Sequence, residues 1–453
     1  MPSAPSAREV FFPLDEELQL LPGHLTPSLQ ESLVRLGTWI PFPRVGQELY
    51  FFTHVTASEP TVRRDTQAAG AAYVAIQTEA VEDLERILPV APAGPAVQLL
   101  SVDGAMVPLV HQEWAEVKTL VVGTVNPPVI EKGEAVVHST DLSYFSRLAD
   151  AETFGHLALV ETHRRGVETA KRVCAVTDGA EWEQGFVDLH RPDAIRILDF
   201  YHAAGYVAEA GKAVLGEGTA PQQVWLKDTL HELKHGQPAN VLNSLRDMQA
   251  ETLAGGAVAD ATLKTLQTSL GYLDKRREQI AYAQFQSLGY PIGSGTVESG
   301  NKLVVEARLK GAGMHWARPH VNPMLALRNI ACSDRWEEAW PQITQRLRQQ
   351  ACDARVQRHQ KRQAKKLSVE SAVTPLSRLE LPVPSGKSGA TEGTLETDLL
   401  VLPLSEVFVP LRPSHPGSEA KKPYRPATNH PWRHSPIGRA RFKPSSRSGD
   451  AKF

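Results

Sequence analysis

Cysteine is almost missing from this chain. Its 453 residues hold three, Cys174, Cys332 and Cys352, far apart and in no C-x-x-C pair. That excludes a disulfide framework and a thiolate zinc site. Long hydrophobic runs are missing too: none approaches the roughly 18 apolar residues of a membrane span, and the N-terminus shows no basic-then-apolar leader. A soluble, cytoplasmic protein with no membrane partner is expected. Net charge is close to absent, with 49 Lys and Arg against 51 Asp and Glu. Nucleic acid is therefore not attracted globally, and any polyanion binding must come from local patches. What is present is a 42% hydrophobic composition, ordinary for a globular protein, in a chain long enough for two or three domains.

The periodicity changes along the chain. Residues 1–92 read as mostly helical, with L-T-P-S-L-Q-E-S-L-V-R-L-G (25–37) carrying leucines at helical spacing. V-T-A-S-E-P-T-V-R-R-D-T-Q-A-A-G (55–70) looks like the second half of a helix-turn-helix, with Thr61, Arg63 and Arg64 able to reach phosphate or base edges. Many helical hairpins look like this without touching DNA. Strands are then expected at 97–103, 105–110 and 116–125, a helix over 142–163, a strand at 172–178, a helix at 182–190 and a strand at 194–200. Residues 205–285 read as an all-helical insertion. Residues 336–366 read as a basic helix, and 367–453 as an irregular tail rich in proline, serine and glycine.

Three of the apolar strands end at an aspartate: Asp103, Asp178 and Asp199. In mixed sheets flanked by helices, functional groups gather at the carboxyl ends of the parallel strands. Glu298 opens the helix that follows the hinge Y-P-I-G-S-G (290–295), so it could complete a three-carboxylate cluster. Hard cations such as Mg²⁺ take oxygen ligands, and two such ions suit phosphoryl chemistry. The plainer reading is that Asp-Gly at 103–104 and 178–179 forms turns, and that Glu298 only offsets a helix dipole.

Together S-V-D-G-A-M-V-P, V-T-D-G-A-E-W, I-L-D-F-Y-H-A and Y-P-I-G-S-G-T-V-E-S-G-N-K…R-L-K-G-A-G-M-H-W resemble bacterial insertion-sequence transposases of the ISKra4 type. The resemblance covers residues 20–335, and the tail motif N-H-P-W-R adds to it. Each motif alone is weak; four in this order are specific. The resemblance implies an α/β, ribonuclease-H-like mixed sheet, its catalytic core split into 93–204 and 286–335 by the helical insertion. It implies a DDE triad on Asp103, Asp178 and Glu298, dependent on Mg²⁺ or Mn²⁺ and using two ions. It further implies double-stranded DNA as partner, at the element's ends and at the target, a homo-oligomer on that DNA, and a nucleoid-associated location. The activity implied is phosphodiester cleavage at the element's ends followed by strand transfer. Alternatives are a related nuclease that does not join strands and a silent DNA-binding repressor. This chain lacks a cysteine or histidine pattern for the N-terminal zinc module that many transposases carry, and its first motif reads D-G-A-M where a D-G-T-like form is expected.

Asp199 and His202 either border the site or cap the helix that follows. Lys302, Arg308 and Lys310 face the DNA backbone or are solvated charges. Trp182 and Trp316 read as core residues.

Overall fold

The computed structural model describes residues 25–131, 133–254 and 260–372, which fall in one compact unit. The irregular basic tail expected over 367–453 lies outside the described residues from 373 onward.

The sheet has five strands. They are β1 (Val97–Pro108), β2 (Trp114–Val125), β5 (Ser139–Arg147), β6 (Arg172–Thr177) and β7 (Ile195–Leu198), in the order β5-β2-β1-β6-β7. The small strands β3 (Val129–Glu131) and β4 (Glu134–Val136) form a separate hairpin. β1, β2 and β5 pair antiparallel, while β1, β6 and β7 pair parallel. The protein is therefore α/β with a mixed sheet. Three strands do precede the first crossover helix, but not the three expected. Asp103-Gly104 is not a turn: β1 runs straight through it, with Asp103 opposite Thr119 and Gly104 opposite Lys118. The third strand comes instead from 139–147, which had read as helix. Its Ser143-Tyr144-Phe145-Ser146 pairs residue by residue with β2, and cross-strand pairing of aromatic and β-branched side chains overrides a weak helical pattern. The helix begins only at α4 (Ala151–Arg164), where Asp150 accepts from the Thr153 N–H at 2.9 Å as an N-cap.

Side chains alternate across the sheet, and on β1 this divides the core. Leu100 and Val102 face α4 and α5 (Glu181–His190) with Phe154, Ala158, Phe186 and Val187. Leu99 faces the helices of the insertion, α6 (Phe200–Leu215), α7 (Ala220–His235), α8 (Pro238–Ala254) and α9 (Asp260–Lys275), through a cluster including Val207, Leu245 and Leu273. Val107, on the same face, packs in a third cluster. That cluster joins the N-terminal helices α1 (Pro27–Trp39), α2 (Phe42–Thr53) and α3 (Glu59–Ile87) to α13 (Arg318–Cys332) and α14 (Trp336–Ala372). By this alternation Asp103 falls on the face of Leu99 and Val107, between two helical groups. The insertion is helical as expected, with α10 (Tyr282–Ser287) closing it.

The N-terminal helices share their core with the rest of the unit. α3 is 29 residues long, and Val62, Thr66, Ala69, Gly70 and Tyr73 form its buried stripe. A Cβ on Gly70 would lie 2.1 Å from the Pro323 carbonyl oxygen, so α3 and α13 touch backbone to backbone there. Among the described residues no helix is long and apolar enough to cross a membrane.

Candidate metal centre

The parallel pairing of β1 with β6 stops at Leu100, opposite Ala175. Beyond it the two strands part, and Asp103 on β1 and Asp178, just past β6, both line the opening. The cleft, of about 430 Å³, is lined by Asp103, Asp178, Asp199, His202 and Glu298 together with Tyr201. All five acids and histidines expected from the sequence thus meet in one place.

Each is held differently. Asp103 accepts from the Gly104 N–H at 2.7 Å through one oxygen and from Asn301 Nδ2 at 2.9 Å through the other. Burial raises its pKa above the ordinary carboxylate range, and the neighbouring charges of Asp178 and Glu298 raise it further, against the two hydrogen bonds. Asp178 accepts from the Ala180 N–H at 2.9 Å. Gly179 stands at φ +84°, where a side chain would meet Tyr272 Oη and Arg276 Nε at under 3 Å. This Asp-Gly pair is therefore a true turn that only glycine fits. From α9, Tyr272 donates to the Asp178 carbonyl oxygen and Arg276 to that of Gly179. The insertion thus braces the site from outside.

Asp199 is the N-cap of α6, accepting from the His202 N–H at 2.7 Å, and its other oxygen accepts from the Ser294 N–H at 2.7 Å. Both oxygens hold the hinge to the end of β7, so Asp199 caps the helix that follows and also lines the cleft. Glu298 lies in α11 (Gly295–Gly300) and is exposed, with Ser294 Oγ 3.3 Å from its carboxylate. The helix continues as a π-helical turn, Asn301–Glu306, and then as α12 (Ala307–Leu309). A π turn shifts the hydrogen-bond ladder and leaves carbonyls over; Arg328, buried on α13, donates to those of Leu303 and Val304. Gly300 packs against the sheet, where a Cβ would approach Val121 to 2.8 Å.

Two side chains here escaped the sequence reading. Glu183 is 1% exposed, and ligand atoms of Asp103, Asp178 and Glu183 all lie within 4.8 Å of one another. Glu298 is not part of that tighter group. Burial pushes the Glu183 carboxyl up to about 10, helped by its hydrogen bond to Asp178 and the charges of Asp178 and Asp103. It also accepts from the Gly179 and Ala180 N–H groups at 3.0 and 3.2 Å. An acid in a helix's first turn looks like an ordinary cap in sequence, which hid it. Asn301 is the other: it follows Glu298 by three residues, opens the π-helical turn, and is buried with its amide on Asp103.

No family model and no curated protein matches this chain. The chemistry of the site must therefore be read from its own atoms. Asp103, Asp178 and Glu183 could hold a divalent cation. The donor set is all carboxylate oxygen, which suits a hard ion, with no thiolate or imidazole in the group. Asn301 Oδ1 is buried beside them without a hydrogen-bond partner among the described residues.

The expected DNA-facing residues divide. Arg308 is buried, donates to the Gly37 carbonyl oxygen at 3.1 Å, and stacks over Phe42 and Trp316. It pins α1 and α2 to the core and cannot face DNA. Lys302 and Lys310 are exposed, the latter paired with Glu306 at 2.7 Å. Arg63 and Arg64 are exposed on α3, paired with Glu59 and Asp65; Thr61 Oγ1 sits 3.0 Å from the Ser58 hydroxyl. Trp316 is buried in the core as expected, its N–H on the Leu309 carbonyl oxygen.

Proposed function

We propose that this chain is a DDE-type DNA transposase resembling the ISKra4 kind, with Asp103, Asp178 and Glu298 as its acids. One observation carries the reading: three carboxylates widely separated in sequence line a single cleft at the parting of two parallel strands. A ribonuclease-H-like core is supported by the mixed sheet, with its antiparallel half β5-β2-β1 and parallel half β1-β6-β7.

Bound Mg²⁺ or Mn²⁺, in one or two ions, would supply Lewis acidity and charge neutralisation at the scissile phosphate. Asp103 and Asp178 would be its principal ligands, with Glu183 grouped beside them and Glu298 lining the same cleft. Asn301 fixes the rotamer of Asp103, and the Gly179 turn fixes that of Asp178. Glu298 is mounted on a helix tied by Ser294 to Asp199, so the hinge delivers it to a set position. Cleavage adds water across a P–O3′ bond and leaves a 3′-hydroxyl and a 5′-phosphate. The 3′-hydroxyl then attacks a target phosphorus and displaces its 3′-oxygen. Neither step needs a covalent protein intermediate. The one buried thiol in the sheet, Cys174, has its pKa pushed up to about 12 by burial and is inert. Thr61, Arg63, Arg64, Lys302 and Lys310 remain the proposed contacts to duplex DNA, as a homo-oligomer on the element's ends.

The test is a strand-joining assay on DNA carrying the repeats that flank the gene, with Mg²⁺. Cutting and joining together support the reading. Cutting without joining points to a nuclease, specific binding without cutting to a repressor, and no binding refutes all three.

A further inference from the structure

The last turn of α7 reads His231-Glu232-Leu233-Lys234-His235. H-E-x-x-H on a helix sets two imidazoles one turn apart on one face, and in zinc peptidases the glutamate between them serves as general base. No part of the transposase reading uses this stretch. Leu233 is buried in the core of the insertion, which fixes the rotation of the helix and leaves both histidines exposed. Their ring centroids are 4.9 Å apart. With Zn–N bonds of about 2.0–2.1 Å and a near-tetrahedral angle, two imidazoles on one ion have ring centres roughly 5 Å apart. The pair already stands at chelating distance.

The surroundings favour an ion and argue against a peptidase. Neither ring has a hydrogen bond or ion pair among the described residues, so nothing competes for the ring nitrogens. His235 is the last residue of α7, where the helix dipole favours positive charge. Lys227 and Asp228, one turn before His231, are both exposed and offset each other. Glu232 is committed elsewhere: one of its oxygens accepts from the Gln237 N–H at 3.3 Å and from Asn240 Nδ2 at 2.6 Å, at the start of α8. A Cβ on Gly236 would strike that same carboxylate, so the glutamate is folded over the turn. Catalytic zinc takes three protein ligands and a water. Among the described residues no third His, Cys, Asp or Glu joins this pair.

We infer that His231 and His235 form a second metal site, for a borderline dication of the Zn²⁺ class, which binds the ion without hydrolytic activity. Imidazole suits Zn²⁺, Cu²⁺ and Ni²⁺, whereas the all-carboxylate cleft suits Mg²⁺. The chain thus sorts two kinds of cation between its insertion and its sheet, and the insertion's site stands whether or not the transposase reading does.

The experiment titrates the full chain with Zn²⁺ against a chromogenic chelator, in excess Mg²⁺. Ions held by the acid cleft or by other histidines are common to wild type and variants, so the difference between them reads this pair. His231→Ala and His235→Ala should each weaken the same single zinc equivalent roughly ten-fold or more, because a lone imidazole forfeits the chelate. The double variant should lose no more than either single one. His235→Cys, which places a thiolate ligand at the same point, should restore binding and shows that a loss is not misfolding. Zinc binding unchanged in the double variant overturns the site. So do single losses that simply add, since they mark two independent surface histidines. Casein hydrolysis by the zinc-loaded wild type that disappears in Glu232→Gln overturns the non-hydrolytic assignment.

Discussion

Replacing Glu183 by glutamine should stabilise the metal-free protein, and by an amount that depends on pH. In the unfolded chain this carboxyl ionises near 4.5; in the fold it keeps its proton to about 10. Between those values the folded state binds more protons than the unfolded one, so stability is lost as pH rises through that window. At about 1.4 kcal/mol per pH unit, the deficit reaches about 3 kcal/mol at pH 7 and falls below about 1 kcal/mol at pH 5. Glutamine copies the shape of the protonated acid. Its oxygen can accept from Gly179 and Ala180, and its N–H₂ can donate to Asp178, without a proton to hold. Urea denaturation in EDTA at pH 5, 7 and 8.5 measures this directly. The glutamine variant should gain on wild type as pH rises, and the two should converge at pH 5. A variant less stable than wild type at pH 8.5 would mean that Glu183 is ionised and stabilises the start of α5, and the reasoning would fail.

Asn301→Ala removes one of the two hydrogen bonds on the Asp103 carboxylate, so its pKa should rise further and Mn²⁺ binding by calorimetry should weaken about 10- to 100-fold. Arg328→Met strands the carbonyls of Leu303 and Val304 in the core; it should cost about 2–4 kcal/mol in urea unfolding and speed hydrogen exchange across 301–309. Residues 421–453 carry nine basic residues against one acid, net +8. Deleting them should weaken binding to all duplexes alike and flatten its salt dependence, while Arg63→Ala with Arg64→Ala erodes preference for the element's ends.

Much of the fold was legible because the buried parallel strands are nearly all apolar and short. β6 and β7 fall within two residues of where V-C-A-V-T and I-R-I-L predict them. β5 was not legible, because its nine residues include aromatic and serine residues that suit either period, and only pairing with β2 decides. Asp-Gly occurs twice with opposite outcomes: at 178–179 it turns, and at 103–104 it runs on as strand because β2 offers a partner at every residue. Asp178, Asp199 and Glu298 were legible from their positions after strands and hinge, whereas Asp103, expected at a strand's end, lies within β1. Glu183 was not, since nothing local separates a helix cap from a group aimed at Asp178. Arg308 shows the converse limit: a charge on a helix reads as surface until Phe42 and Trp316 close over it.

The most direct measurement is Mg²⁺-dependent cleavage of the element's end by wild type, Asp103→Asn, Asp178→Asn and Glu298→Gln, with DNA affinity measured in parallel. The account predicts cutting by wild type alone and near-equal binding by all four, because each change removes a carboxylate's charge with little change of shape. Full cutting by Glu298→Gln together with its loss in Glu183→Gln would contradict it, and would move the third acid of the site from the hinge helix to α5.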